Sequence, residues 1–336
     1  MIKNNSRFVM RETCYVNKKA HASRYLQGQH MDTNNIAIRL ENLSKTFGRR
    51  KRKVKAVCGI NLEVSAGQVY GFLGPNGAGK STTIRMIMDL IRPSSGEILV
   101  YGRNVHKEHV VLQKVGALVE GAMFYDFLTG RKNLEVLARN SGVYNAATVQ
   151  NLLEQVSLAD RADRFVKGYS TGMKQRLGLA AALLHDPDLV ILDEPTNGLD
   201  PAGIQEMRGF IRQLAEEHGK TVFLSSHLLG EVEQVCDRVA IINKGEIVRE
   251  GKVADLLATQ SQLRLEVTPI EQATALLNER WSVTPNGKSI TVLAERADTP
   301  AIIQRLVNNN IAIYEAKSER QSLEQFFLDV TGKAEN

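Results

Sequence analysis

The sequence predicts an α/β protein: a phosphate-loop core with an antiparallel β subdomain and a helical insertion, followed by a small C-terminal α+β domain. Three observations predict it. The run Gly74-Pro75-Asn76-Gly77-Ala78-Gly79-Lys80-Ser81-Thr82 fits G-x-x-x-x-G-K-[ST] and sits between an apolar strand candidate and a breaker-free helical run. Leu189-Val190-Ile191-Leu192 is a continuous apolar run ending in Asp193-Glu194, the pattern of a parallel strand buried on both faces. Residues 129–165 and 263–332 carry patterns of their own, the first helical and the second mixed.

In chain order, residues 1–30 lack periodicity and hold Lys3, Arg7, Arg11, Lys18, Lys19 and Arg24 against Glu12, a net +5. The whole chain is +6, so residues 31–336 carry only +1. The expectation for 1–30 is a basic, disordered extension, with Met31 as an alternative start. A near-neutral body argues against a nucleic-acid partner. Ile36-Ala37-Ile38-Arg39-Leu40 and Gly59 to Val64 alternate as two antiparallel strands. Between them Arg49-Arg50-Lys51-Arg52-Lys53-Val54-Lys55 reads as a solvated hairpin loop or as a contact for anionic lipid or nucleotide phosphate.

Gln68 to Leu73 forms the strand before the phosphate loop and Thr83 to Met88 continues the helix after it. Further strands fall at Glu97 to Tyr101 and Val115 to Val119. In the helical stretch Leu134, Leu137, Ala138, Val149, Leu152, Leu153 and Val156 recur at helical spacing. After Gly168 strand and helix alternate to about Leu257. The last domain reads as strand Leu263 to Val267, helix Glu271 to Arg280, and a hairpin of Trp281 to Val283 with Ser289 to Leu293 across Pro285-Asn286-Gly287. Helix Pro300 to Val307, strand Ile311 to Tyr314 and a closing helix Ser322 to Val330 follow, a dimerisation or regulatory appendage. The boundaries are 1–30, 36–257 with a helical subdomain at about 121–168, and 263–332.

No apolar run approaches the ~18 residues of a membrane span, and no apolar leader opens the chain. Cys14, Cys58 and Cys236 lie far apart and fit a reducing compartment.

The motifs carry chemistry. Glycines let successive backbone N–H groups converge on an anion, and the following helix adds its N-terminal partial charge. Four fixed positions match by chance in about one such chain per hundred, given ordinary glycine usage. Lys80 would reach the β- and γ-phosphates and Ser81 would place a hydroxyl on Mg2+. Carboxylates at the end of the buried strand would emerge beside that loop, where open α/β sheets bind ligands. Asp193 suits the Mg2+ shell. Glu194 suits a general base for an attacking water.

Between these motifs stands Tyr169-Ser170-Thr171-Gly172-Met173-Lys174-Gln175-Arg176-Leu177, ahead of an Ala/Leu-rich helix. This resembles the signature of ATP-binding-cassette (ABC) ATPases. The phosphate loop, the signature, Asp193-Glu194, Asn197-Gly198-Leu199-Asp200 and His227 stand in that family's order and spacing. The likeness covers residues 36–257, and the α+β domain is similar to one common in such subunits. By position it implies that Phe47 stacks on adenine, and that Ser170, Thr171, Gly172, Met173 and Lys174 face the γ-phosphate held by a partner subunit. It implies Asp200 in a loop communicating across that dimer and His227 as a switch on the γ-phosphate. Where the family's lid loop carries Gln, this chain has Glu120, whose carboxylate can still ligate Mg2+. Glu120, with Phe124-Tyr125 and Leu128-Thr129-Gly130 downstream, is similar to the bacitracin-resistance and lantibiotic-immunity branch.

The resemblance thus implies the ATP-hydrolysing subunit of an exporter, catalysed by Lys80, Glu194 and His227. It implies a homodimer or paired ATPase subunit, peripheral on the cytoplasmic membrane face and joined to a separate integral membrane permease, with ATP and Mg2+ bound. A soluble ABC ATPase acting on ribosomes or DNA would use the same site; such proteins usually carry paired cassettes or long coiled coils, which this chain lacks.

Overall fold

The computed structural model describes residues 35–48, 53–119, 123–258, 261–294 and 296–320, with Leu323 and Phe327. The 1–30 extension, the basic residues 49–52, Glu120 and most of the 322–330 helix lie outside the described residues. Contacts divide the chain into two compact units, Met1–Glu250 and Gly251–Asn336.

The first unit opens with β1 (Ile36–Phe47) and β2 (Val54–Ser65), then β3 (Val69–Leu73), α1 (Lys80–Ile87), β4 (Ser95–Val100), β5 (Arg103–Asn104) and β6 (Val115–Leu118). Helices α2 (Gly130–Asn140), α3 (Ala146–Gln155) and α4 (Thr171–Ala182) follow. The unit closes with β7 (Leu189–Asp193), α5 (Pro201–Glu216), β8 (Thr221–Ser226), α6 (Leu229–Val235), β9 (Arg238–Asn243) and β10 (Glu246–Lys252), the last reaching two residues into the second unit.

Two sheets result. One has the order β2-β1-β4-β5, with β1 antiparallel to β2 (Leu40 opposite Leu62) and to β4. The other runs β10-β9-β3-β8-β7-β6 and is parallel through β9, β3, β8, β7 and β6. All residues of β3 and β7 are buried. Continuous apolar runs at these places therefore reflect a sheet covered on both faces. Tyr70 and Phe72 of β3 meet Phe223 of β8 with ring centroids 5.9 and 5.6 Å apart, and Ile84, Met86 and Ile87 of α1 share that core. Each large side chain so buried contributes roughly 1.5–3 kcal/mol, which holds the phosphate-loop helix on its sheet.

The helical stretch starts from capped ends. The Thr129 hydroxyl accepts from Lys132 N–H at 3.2 Å at the start of α2, and Asn145 accepts from Ala147 N–H at 2.8 Å at the start of α3. Buried Asn133 ties the preceding segment down, accepting from Tyr125 N–H at 2.9 Å and donating to the Tyr125 and Thr129 carbonyls at 3.1 and 2.9 Å. A Cβ at Gly130 would lie 2.3 Å from the Tyr169 hydroxyl, which itself donates to the Arg161 carbonyl at 2.7 Å. Any larger residue there would have to displace the hydroxyl from that bond.

The second unit begins with α7 (Val253–Ala258) and continues as β11 (Ser261–Thr268), α8 (Ile270–Asn278), β12 (Ser282–Asn286), β13 (Ser289–Leu293), α9 (Thr299–Asn308) and β14 (Ala312–Arg320). Its sheet is antiparallel with order β12-β13-β11-β14. Its core is Leu263, Leu265, Val267, Ala273, Leu277, Ile290, Val292, Ile302 and Leu306. Two strands are longer than their sequence pattern. β12 continues through Pro285, which an edge strand tolerates because one side of its backbone needs no ladder partner. β14 extends to Arg320 because it pairs with β11 along its whole length, although its residues are mostly exposed and show no apolar alternation.

Candidate active site

The phosphate loop leaves β3 and turns into α1, with Ala78 N–H donating to the Pro75 carbonyl at 3.1 Å. Gly79 adopts φ +112, and a Cβ there would stand 2.5 Å from the Ala56 carbonyl oxygen; one on Gly74 would stand 2.3 Å from that of Ile242. Both motif glycines are thus fixed by neighbouring backbone, and Gly79 by its left-handed φ as well. Pro75, Asn76 and Gly77 form the exposed tip, Ala78 and Gly79 are buried, and Ser81 and Thr82 are half-buried in the first turn of α1.

Lys80 is only 4% exposed. Its ammonium donates to the Gly74 carbonyl at 2.8 Å and to the Pro75 carbonyl at 3.3 Å, and lies 3.2 Å from Glu194 Oε1. The other oxygen of Glu194, Oε2, lies 2.8 Å from His227 Nδ1. Lys80, Glu194 and His227 therefore form one connected chain with the carboxylate in the middle. Glu194 has φ +50, a conformation non-glycine residues adopt at a cost of order 1–3 kcal/mol. Its N–H is held by Ser225, to the carbonyl at 3.2 Å and to the hydroxyl at 3.0 Å. Asp193, 9% exposed at the end of β7, receives the Ser225 hydroxyl at 2.5 Å. His227 follows β8, where Leu228 N–H donates to the Ser226 hydroxyl at 2.9 Å and turns the chain.

The signature residues stand elsewhere in the unit. The Ser170 hydroxyl accepts from Met173 N–H at 3.2 Å and caps α4. Asp200 Oδ1 accepts from Gly203 N–H at 3.1 Å and caps α5, with Pro201 in the first turn. A Cβ on Gly172 would sit 3.4 Å from the Leu199 side chain, and one on Gly198 the same distance from that of Thr171, so the two turns pack on each other. Lys174 pairs with Asp126 at 3.4 Å. Among the described residues no hydrogen bond or ion pair joins Ser170 to Lys174 with the phosphate loop. Phe47 ends β1, is 41% exposed, and has the Lys45 ammonium 5.0 Å from its ring centroid. Glu120 lies outside the described residues.

Ser225 is the site residue sequence reasoning missed. Its signal was the register: a serine two positions before His227, on a strand that aligns it with Asp193. A phosphate loop after β3 and an acidic pair at the end of β7, parallel strands with β8 between them, with the lysine held on one of the acids, define a phosphate-loop nucleotide hydrolase.

Comparison with known proteins narrows that class. The family model described as ABC transporter matches residues 57–197. The uncharacterized ABC transporter ATP-binding protein YhcH of Bacillus subtilis is 41% identical over 88% of this chain and 96% of its own length. The bacitracin transport ATP-binding protein BcrA of Bacillus licheniformis is 38% identical over 88% of this chain and 97% of its own. A solved dimeric structure of a post-hydrolysis state of an ATP-binding cassette, bound to ADP and Pi, superposes with a TM-score of 0.59 at 25% identity, covering 64% of this chain and 98% of that one. The chain belongs to the ABC transporter family as an ATP-binding, ATP-hydrolysing protein.

Proposed function

We propose that this chain powers export of a drug or antimicrobial peptide, working as a dimer on the cytoplasmic face of the membrane with a separate integral membrane permease. The observation that carries the catalytic part is Glu194 held between Lys80 and His227. When ATP enters, the Lys80 donors now spent on the Gly74 and Pro75 carbonyls turn to the β- and γ-phosphates. Glu194, released from Lys80, orients a water and takes its proton as the water oxygen bonds to the γ-phosphorus. The bond to the β–γ bridging oxygen breaks, and Lys80 and His227 balance the charge that develops.

Mg2+ fits the donor set: the Ser81 hydroxyl and the Asp193 carboxylate are hard oxygen ligands. Asp193 is nearly buried, and among the described residues it has no cationic side chain within ion-pair distance. A buried carboxylate without a counter-charge is costly unless a cation joins it. Bound there with ATP, Mg2+ would neutralise phosphate charge.

Ser170 to Lys174 serve the nucleotide of the opposite subunit in this reading. The dimeric cassette with ADP and Pi supports pairing, and the transport name of BcrA supports export over a soluble ATPase acting on ribosomes or DNA. Among the described residues no helix is long and apolar enough to cross a membrane, and this reading assigns the crossing to the permease. Met123, Tyr125, Phe127 and Phe165 expose large apolar surface beside α2 and suit that contact.

The Glu194→Gln variant tests the mechanism: ATP binding is retained while turnover falls about 10²–10⁴-fold. Wild-type turnover in that variant would overturn it.

A further inference from the structure

The hydroxyl of Ser225 is fully buried between the two acids of the site. Its hydrogen has one place to go. Glu194 N–H is a donor, so at 3.0 Å the serine oxygen must accept from it. Asp193 as a carboxylate only accepts, so the serine hydrogen points to Asp193 Oδ1 at 2.5 Å, in the range of a charge-assisted O–H···O⁻ bond. β7 and β8 are in parallel register here, Asp193 opposite Ser225, so the arrangement is built into the sheet. One side chain thereby fixes the rotation of the Asp193 carboxylate and the backbone of Glu194, whose φ of +50 needs such support.

We infer that Ser225 is the positioning residue of the metal–nucleotide site: it occupies one oxygen of Asp193 so that the other is presented to the divalent cation. This rests on the reading of Asp193 as a cation ligand. Loss of such an outer partner costs about 10–100-fold in metal affinity in other sites, without removing the phosphate loop that binds the nucleotide itself.

The experiment uses the full chain, wild type, S225A and S225T, with ADP so that no turnover intervenes. Affinity for a fluorescent ADP is measured in EDTA, and Mn2+ binding to the ADP complex is followed by electron paramagnetic resonance. In S225A the Mn2+ affinity falls about tenfold or more while metal-free ADP affinity holds, and S225T, which keeps the hydroxyl, recovers most of the loss. Wild-type Mn2+ affinity in S225A would overturn the inference and leave the proposed function standing. An equal loss of metal-free ADP binding in S225A would also overturn it, by making the residue a structural one. If S225T cannot accommodate its methyl group, the split between the two affinities in S225A decides alone. Absence of Mn2+ binding in the wild-type ADP complex would instead sink the assignment of Asp193 as a ligand.

Discussion

Gly79 shows how tightly single residues bind the site to its surroundings. A methyl group there meets both an unfavourable φ of +112 and the Ala56 carbonyl at 2.5 Å. Gly79→Ala should therefore cost at least about 1–3 kcal/mol and abolish nucleotide binding, checked by chemical denaturation and by titration with a fluorescent ATP. The sequence made the loop legible because its chemistry demands glycine and lysine at set intervals. It did not reveal that the Lys80 ammonium would rest on Gly74, Pro75 and Glu194, since those contacts depend on where β3, α1 and β7 meet. Nor did it reveal Ser225, whose importance comes from strand register and leaves no mark in local composition.

Among the elements, the start of α2 carries the clearest prediction. Asn133 is 1% exposed and makes three hydrogen bonds to the segment that holds Tyr125 and Thr129. Asn133→Leu leaves an N–H and two carbonyls without that partner, and should destabilise the protein by about 1–3 kcal/mol, read as a lowered denaturation midpoint. Phe127→Asp changes only an exposed ring, 70% accessible, so folding and basal ATP turnover should persist. If that surface meets the permease, membrane recruitment falls in this variant; unchanged recruitment would exclude Phe127 from the contact. Helices were readable from their period and buried parallel strands from unbroken apolar runs, because burial on one face or on both imposes these patterns. Strand β14 was only half readable because an exposed edge strand imposes none.

For the molecule as a whole, acid sensitivity has an identifiable source in His185. Burial pushes its pKa below the ordinary histidine value, and in the neutral form Nε2–H donates to the Val115 carbonyl at 3.1 Å. The unfolded chain takes up a proton near pH 6.5, and the folded chain resists doing so until lower pH. Stability is therefore full above about pH 6.5 and declines as pH falls toward the lowered value. His185→Gln, which can keep a donor to Val115, should flatten that decline between pH 7 and 5.5 in urea titrations; an identical slope in both proteins would exclude the residue as the cause. The α/β class and the order of subdomains were evident from sequence because each rests on a change of period or a motif. The adjoining of signature turn and Asn197 to Asp200 turn was not, since it arises from packing between residues far apart in the chain.

That adjoining has a consequence for how two such chains would keep time. The segment from Glu194 to Asp200 has one end in the chain's own acid pair and the other against its signature turn. In the proposed two-fold pair the acids would serve one nucleotide while the signature turn would serve the other. A single short peptide would then belong to both sites at once, and neither nucleotide could change state privately.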